Sequence, residues 1–334
     1  MKKLMKSMVA IIMIFMVTIG MIGCSSSKDK QEKKDFSVGI VLGEGGANDQ
    51  SFNQSSIEGL EKAKKELGIQ GRFLESNQDA DYVPNIEIFI DDEVDLIIGV
   101  GYTTASAMLD AAKLYPDRNF VMIDTNYEEE GQEIPDNMLC VTFDEKEAAY
   151  LVGLIASKMS ETNKVGFIGG MKIPNITRFE EGFAAGVEAG GKGTKLLSQY
   201  ANNFDDASLG KSIANQMYTN DVDVIFSAAG NVGTGAIEVA KEKNKYAIGV
   251  DMDQNNLAPD NVISSAMKRV DIGVFDIIEK AKKGEFKGGT AMVYGLKEDA
   301  VGIAPTTSKN VPKEILDFVE EQGNKLINGE IKVK

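Results

Sequence analysis

Phe36-Ser-Val-Gly-Ile-Val-Leu42 runs into Gly43-Glu-Gly-Gly-Ala-Asn48-Asp49-Gln-Ser-Phe52-Asn53, and residues 55–67 follow as an amphipathic stretch closed by Gly68. The first seven residues are nearly all apolar, as a strand covered on both faces of a parallel sheet must be. Residues 55–67 carry the helical period, and Gly68 supplies the left-handed residue that commonly ends a helix. A strand, a polar glycine-rich turn and a helix in that order form the first half of a βαβ unit.

The same rhythm extends outward in the C-terminal direction. Residues 72–75 read as the next strand, then a helix with Pro84 in its first turn, where a missing N–H costs nothing. Residues 94–100 (Val-Asp-Leu-Ile-Ile-Gly-Val) are a buried strand, residues 104–114 a helix stopped by Pro116, and residues 119–123 and 138–143 two further strands. After a helix over residues 145–159 the cycle restarts. Strands are expected at 165–168, 195–200, 222–226 and 246–250, with helices at 177–188, 208–218 and 235–243. The fold class is therefore α/β, with two doubly wound parallel-sheet lobes, as a length of 334 residues also favours.

Composition removes several chemistries. The chain has no His, so no imidazole can serve as a triad base, a metal ligand or a pH switch. Two Cys cannot build a four-thiolate zinc site or a disulfide framework. With 36 Lys+Arg against 51 Asp+Glu the net charge is −15, which disfavours broad binding to nucleic acid. Cys140 sits in the apolar run Met138-Leu-Cys-Val141 and reads as a small buried hydrophobe, away from cations that would activate a thiolate.

The N-terminus is a targeting segment. Lys2, Lys3 and Lys6 precede an uncharged apolar run over residues 8–22, too short to span a bilayer and typical of a signal peptide. Met21-Ile-Gly-Cys24 then resembles a bacterial lipoprotein cleavage box, although Leu is usual at its first place and a small residue at its second. Cys24 is the expected lipidation site, and the polar residues 24–35 are a flexible tether.

Ligands of doubly wound folds bind beyond the carboxyl ends of the strands, and those ends are polar here. They carry Gly43 to Asn53, Asp124-Thr-Asn126, Gly169-Gly170 with Arg178-Phe179-Glu-Glu-Gly-Phe183, Ala228-Ala-Gly230-Asn231, and Asp251-Met-Asp253-Gln254. Carboxylates accept paired hydroxyls and aromatic faces stack on rings, so a polyhydroxylated ring compound suits this cleft. Asp49 and Asp124 also have plainer readings, as a helix cap and a loop turn. Three cofactor motifs fail. Asn48 occupies the third glycine place of a dinucleotide fingerprint, and Asp205 stands where a phosphate loop ending at Gly210-Lys-Ser212 needs glycine. A calcium loop from Asp251 has Asn256 at its glycine and Val262 at its twelfth position. No cofactor and no metal are expected, and with no nucleophile set beside a base the chain reads as a binding protein, not an enzyme.

Residues 38–53 resemble the opening signature of the basic membrane protein family, bacterial lipoproteins similar to purine nucleoside receptors of ABC transporters. Further similarities follow in family order: Phe120-Val-Met-Ile-Asp124, Gly169-Gly170, residues 178–186, Ala228-Ala-Gly230, Gly249-Val-Asp251-Met-Asp253-Gln254 and Ser265-Ala-Met-Lys268. The resemblance implies the type I periplasmic-binding-protein fold, two lobes joined by three crossovers with ligand held between them. On it rests a division into a signal peptide (1–23), a tether (24–35), an N-terminal lobe (36–143 and 255–285) and a C-terminal lobe (144–254 and 286–334). It also implies that Asn48 and Asp49 face a base, that Phe52 and Phe179 wall it in preference to Phe183, that Asp124, Asp251 and Lys268 hold a ribose, and that Gly230 lets backbone approach. The expected protein is a monomeric receptor, lipid-anchored on the extracytoplasmic face of the cell membrane, that passes a nucleoside to permease and ATPase subunits and binds no nucleic acid. The alternatives are a same-fold receptor for a sugar or signalling molecule, and an adhesin-type surface protein.

Overall fold

The computed structural model describes residues 35–333; the expected signal peptide, Cys24 and the tether up to Lys34 lie outside the described residues. The first sheet holds β1 (Ser37–Leu42), β2 (Gln70–Leu74), β3 (Leu96–Val100), β4 (Phe120–Ile123), β5 (Met138–Phe143) and β11 (Thr290–Tyr294), all parallel, in the order β2-β1-β3-β4-β5-β11. The second holds β6 (Lys164–Gly169), β7 (Lys195–Tyr200), β8 (Val224–Ala228), β9 (Tyr246–Asp251), β10 (Val262–Lys268) and β12 (Val301–Ile303), in the order β7-β6-β8-β9-β10-β12, with only β12 antiparallel.

Parallel neighbours require crossover helices. In the first lobe these are α1 (Phe52–Leu67), α2 (Tyr82–Asp91) and α3 (Ala105–Leu114), joined by α8 (Val270–Lys282), which packs along α1. In the second lobe they are α4 (Glu145–Met159), α5 (Pro174–Ala189), α6 (Ala207–Thr219), α7 (Asn231–Lys243) and α9 (Lys313–Ile327). Both lobes are doubly wound as expected. Central β3, β4 and β8 are buried throughout, whereas the edge strands β2 and β7 are largely exposed or half-buried, as one covered face requires. No described helix is long and apolar enough to cross a membrane.

Two lobe assignments change. Residues 262–268 were expected in the N-terminal lobe, yet β10 pairs with β9 and β12 in the second sheet. Residues 290–294 were expected in the C-terminal lobe, yet β11 pairs with β5 in the first. The chain therefore crosses between lobes at Phe143–Asp144, Lys268–Arg269 and Tyr294–Gly295. Two of the crossings are tied together, since the Asp144 N–H donates to the Tyr294 carbonyl at 2.9 Å. Strand pairing, not local pattern, decides to which side each segment belongs.

Helix starts also move. α7 begins at Asn231, four residues before the expected 235, so Gly233 lies in helix rather than loop and Gly235 lies inside the helix rather than at its start. Their role is contact: a Cβ on Gly235 would sit 2.0 Å from the Ala207 carbonyl oxygen, and one on Gly210 1.9 Å from that of Val232. Glycine at both places lets α6 and α7 approach backbone to backbone. α1 begins at Phe52, three residues earlier than the expected 55, because Asp49 binds its free N–H groups.

Candidate ligand-binding site

The strand order reverses beside β1 in the first sheet and beside β6 in the second, and such switch points open a crevice at the carboxyl ends. The two crevices face each other around one cavity lined by residues of both lobes, Asp49, Phe52 and Asp124 from the first and Phe179, Asp251 and Lys268 from the second. Asp124 directly follows β4 and Asp251 ends β9, the corresponding strands of the two lobes. Both take a left-handed backbone, at φ 72° and 63°, which few residues other than Gly, Asn and Asp adopt. Each is buried at the cavity wall.

Lys268, the last residue of β10, lies against the crossover and is 1% exposed. Its ammonium pairs with Asp124 Oδ2 and, at 3.1 Å, with Glu145 Oε1. It also stands 4.9 Å from the ring centre of Phe52 and 5.8 Å from that of Phe179, which favours the charged form. Burial alone would lower its pKa, but the carboxylates of Asp124, Glu145 and Asp251 outweigh that and hold it above the ordinary lysine value. Burial raises Asp124, with Lys268 opposing. Burial pushes the Asp251 carboxyl up to about 7, against Lys268 and the Ser51 hydroxyl.

Three further contacts bridge the lobes. The Asn175 amide donates to Asp124 Oδ2 at 2.9 Å, the Ser51 hydroxyl donates to Asp251 Oδ2, and Gln254 Nε2 donates to the Gln50 carbonyl at 2.9 Å. After these bonds, Asp124 Oδ1 and Asn175 Oδ1 remain buried with no partner. Unpaired buried acceptors are costly; here two of them belong to side chains lining one cavity. The rest of the wall is largely aromatic and aliphatic, with Phe52, Phe179, Phe204, Ile173, Ile176 and Val250. The arrangement accepts hydroxyl protons along one side and packs a flat apolar body along the other.

Of the residues expected at the site, Asp49, Phe52, Asp124, Phe179, Gly230, Asp251 and Lys268 all line the cavity. Asn48 does not; it is exposed on its loop, because the turn that buries Asp49 turns its neighbour outward. Phe183 packs in the core 5.1 Å from the ring centre of Phe226. Gly230 takes φ 55°, and a Cβ there would meet the Phe204 carbonyl oxygen at 2.9 Å. Asp49 serves first as a helix cap: Oδ1 accepts the N–H groups of Ser51 and Gln54 at 3.0 Å, and Oδ2 that of Asn53 at 2.9 Å. Burial raises its pKa while these bonds pull it down.

Sequence reading passed over Ser51, Asn175, Phe204 and Glu145. Pro174 was the available signal for Asn175: proline opens helices, so α5 starts there and not at residue 177. Glu145 was read only as the first residue of a helix.

The family model for PnrA-like ABC transporter substrate-binding proteins (Bmp) matches residues 36–334. The ABC transporter nucleoside-binding protein BmpA of Lactococcus lactis is 35% identical over 98% of this chain and 99% of its own length. The CD4+ T-cell-stimulating antigen of Listeria monocytogenes is 40% identical over 95% of this chain and 94% of its own, and basic membrane protein A of Borreliella burgdorferi 36% over 96% and 94%. Among solved structures, an ABC transporter solute-binding protein of Aeropyrum pernix K1 superposes with a TM-score of 0.81 at 29% identity, covering 89% of this chain and 92% of that one. Matched nearly end to end by these proteins, the chain belongs to the Bmp family of ABC transporter substrate-binding proteins, with their periplasmic-binding-protein-like fold.

Proposed function

We propose that this protein is the lipid-anchored substrate-binding component of an ABC transporter and that its cavity captures a nucleoside, purine by preference, for uptake. The observation that carries this reading is the pair of unpartnered buried acceptors, Asp124 Oδ1 and Asn175 Oδ1, on a cavity otherwise walled by Phe52, Phe179 and Phe204. Ribose hydroxyls donate to Asp124 and Asp251 and accept from Lys268. The base lies between aromatic faces, Gly230 admits backbone approach, and Asp49 faces the base with the acceptor capacity its capping bonds leave free. Asn48 takes no part. The similarity to a protein named for nucleoside binding supports the same ligand class.

Charge supplies the test. Asp49, Asp124 and Glu145, joined by a partly ionised Asp251, outnumber Lys268 and Arg178 around the cavity, and a phosphate would add roughly two negative charges. Titration calorimetry on the full-length protein in detergent, with inosine, guanosine and adenosine, is expected to show each nucleoside binding about 100-fold tighter than its 5′-monophosphate, from repulsion in a low-dielectric cleft. Comparable affinity for the monophosphates sinks the nucleoside reading. Free ribose binding as tightly as inosine replaces it with a sugar receptor.

The anchor has its own test. Cys24→Ala removes the acylation site, and the polar tether offers nothing else that holds a bilayer. Fractionation and fatty-acid labelling are expected to show the variant unlabelled and either released or retained as unprocessed precursor. A processed variant that stays on membranes refutes the anchor.

A further inference from the structure

Glu145 lines no part of the cavity, yet it is completely buried and carries two cations at once. Oε1 lies 3.1 Å from Lys268 Nζ, and Oε2 accepts from Arg178 Nε at 2.6 Å. Arg178 in turn reaches Glu129 Oε2 at 3.3 Å through Nη1. These residues divide by lobe. Glu145 opens α4, Arg178 lies on α5 and Lys268 ends β10, all in the second lobe. Asp124 and Glu129 follow β4 in the first. Glu145 stands two residues beyond the end of β5, just past a crossover, so it stays with both cations whatever the angle between the lobes. Asp124 and Glu129 reach those cations across the interlobe cleft, so these two contacts depend on the angle between the lobes.

A buried ammonium needs a counterion at all times, since an isolated charge in a protein interior is far costlier than a paired one. Asp124 belongs to the opposite lobe, whereas Glu145 shares the lobe of Lys268. We propose that Glu145 is a positioning residue of the binding site: it is the permanent counterion that holds Lys268 in place for the ligand and joins it, through Arg178, to the Glu129 contact that seals the lobes. Ligand contact at Lys268 and closure at Arg178–Glu129 are then coupled through one carboxylate. The proposal rests on the interlobe ligand site described above. It adds a residue outside the cavity that sets both affinity and lobe angle.

The full-length protein in detergent, with inosine as probe, tests it through Glu145→Gln, Glu129→Gln and their double variant. Spin labels at exposed Lys65→Cys in α1 and Lys241→Cys in α7 report the lobe separation without any ligand. Glu145→Gln is expected to weaken inosine about tenfold or more, mainly through faster dissociation, as loss of a buried charged bond does. Glu129→Gln alone should cost less, and the double variant should be no weaker than Glu145→Gln, because residues of one network do not add. The label distances in ligand-free Glu145→Gln should broaden relative to wild type. Arg178→Gln, on a partly exposed side chain outside the cavity, is the second variant should Glu145→Gln fail to fold; it too should weaken inosine and broaden the distances. Additive losses, or variants that lower the melting temperature while leaving inosine affinity and label distances at wild-type values, overturn the proposal and make Glu145 merely structural. If wild type binds no nucleoside, the functional reading fails, and the label distances still decide the coupling.

Discussion

Asp124→Ala is expected to lower nucleoside affinity about 100-fold or more, the largest loss of any single substitution in the cavity, and calorimetry with inosine on folded variant protein measures it. Three effects add at this side chain. Its Oδ1 is buried with no partner, and in the proposed binding mode it accepts a ligand hydroxyl; a lost charged hydrogen bond costs about 1.5–3 kcal/mol. Its Oδ2 holds both the Lys268 ammonium and the Asn175 amide, which belong to the opposite lobe. Removing it therefore weakens closure and leaves Lys268 with Glu145 as its paired carboxylate, and breaking a buried pair costs about 3–5 kcal/mol when no partner remains. Because Glu145 does remain, the variant should fold; circular dichroism checks this. Asp124 also sits at φ 72°, where alanine is more strained than aspartate, so part of the loss reflects a shifted strand end. Asp124→Asn separates the two, since it keeps the turn and loses the charge. An Asp124→Ala protein that binds inosine within threefold of wild type would remove the carboxylate from the ligand site.

The second large effect is on stability and its dependence on pH. Asp251 is 6% exposed, and burial raises its carboxyl to about 7 from the ordinary 3.8. The folded protein thus binds this proton more tightly than the unfolded chain does. The stabilising contribution is fully present below about pH 4, is lost as pH rises toward 7, and is absent above it. The rise from 3.8 to about 7 corresponds to roughly 4 kcal/mol across that window. Burial raises Glu44, Asp49, Asp124, Asp144 and Glu147 as well, so they add slopes of the same sign. Thermal melts of ligand-free protein are expected to fall in temperature from pH 5 to pH 8. Asp251→Asn, whose side-chain carbonyl can still accept the Ser51 hydroxyl, should melt about 5 °C or more above wild type at pH 8 and show a flatter profile. It should bind nucleoside poorly, so the same change that stabilises the fold disables the site. A wild-type melting temperature that rises toward pH 8, or an Asn variant with an unchanged slope, contradicts this account of the buried carboxyl.

Those two aspartates also mark what could be read from sequence. Each follows a continuous apolar run, Phe120 to Ile123 and Tyr246 to Val250, and a charged residue directly after a buried strand has to lie at a strand end. Local pattern suffices for that, as it does for the alternation of strands and helices and for the two-lobed α/β class. Local pattern set Phe52 and Phe179 only near polar strand ends; their expected place at the cavity wall came from the family resemblance, and the structure has both lining the cavity. Asn48 shows where local pattern stops. It neighbours Asp49 on one loop, yet only Asp49 turns inward, because only its carboxylate is needed by the free N–H groups of α1.

Local pattern accounts for the alternation of strands and helices up to residue 250, for the polar strand ends and for the carboxylates and aromatics beside them. Tertiary structure alone decided which lobe receives residues 262–268 and 290–294, because an apolar strand is equally buried in either sheet and pairing selects between them. It alone also assembled the charged centre. Lys268 meets Asp124 across 144 residues and Ser51 meets Asp251 across 200, separations over which no periodicity or spacing carries information. Glu145 is the clearest instance: at the head of a helix it reads as an ordinary favourable acid beside the positive end of the dipole, and only the folding of β10 and α5 around it makes it the buried counterion of two cations.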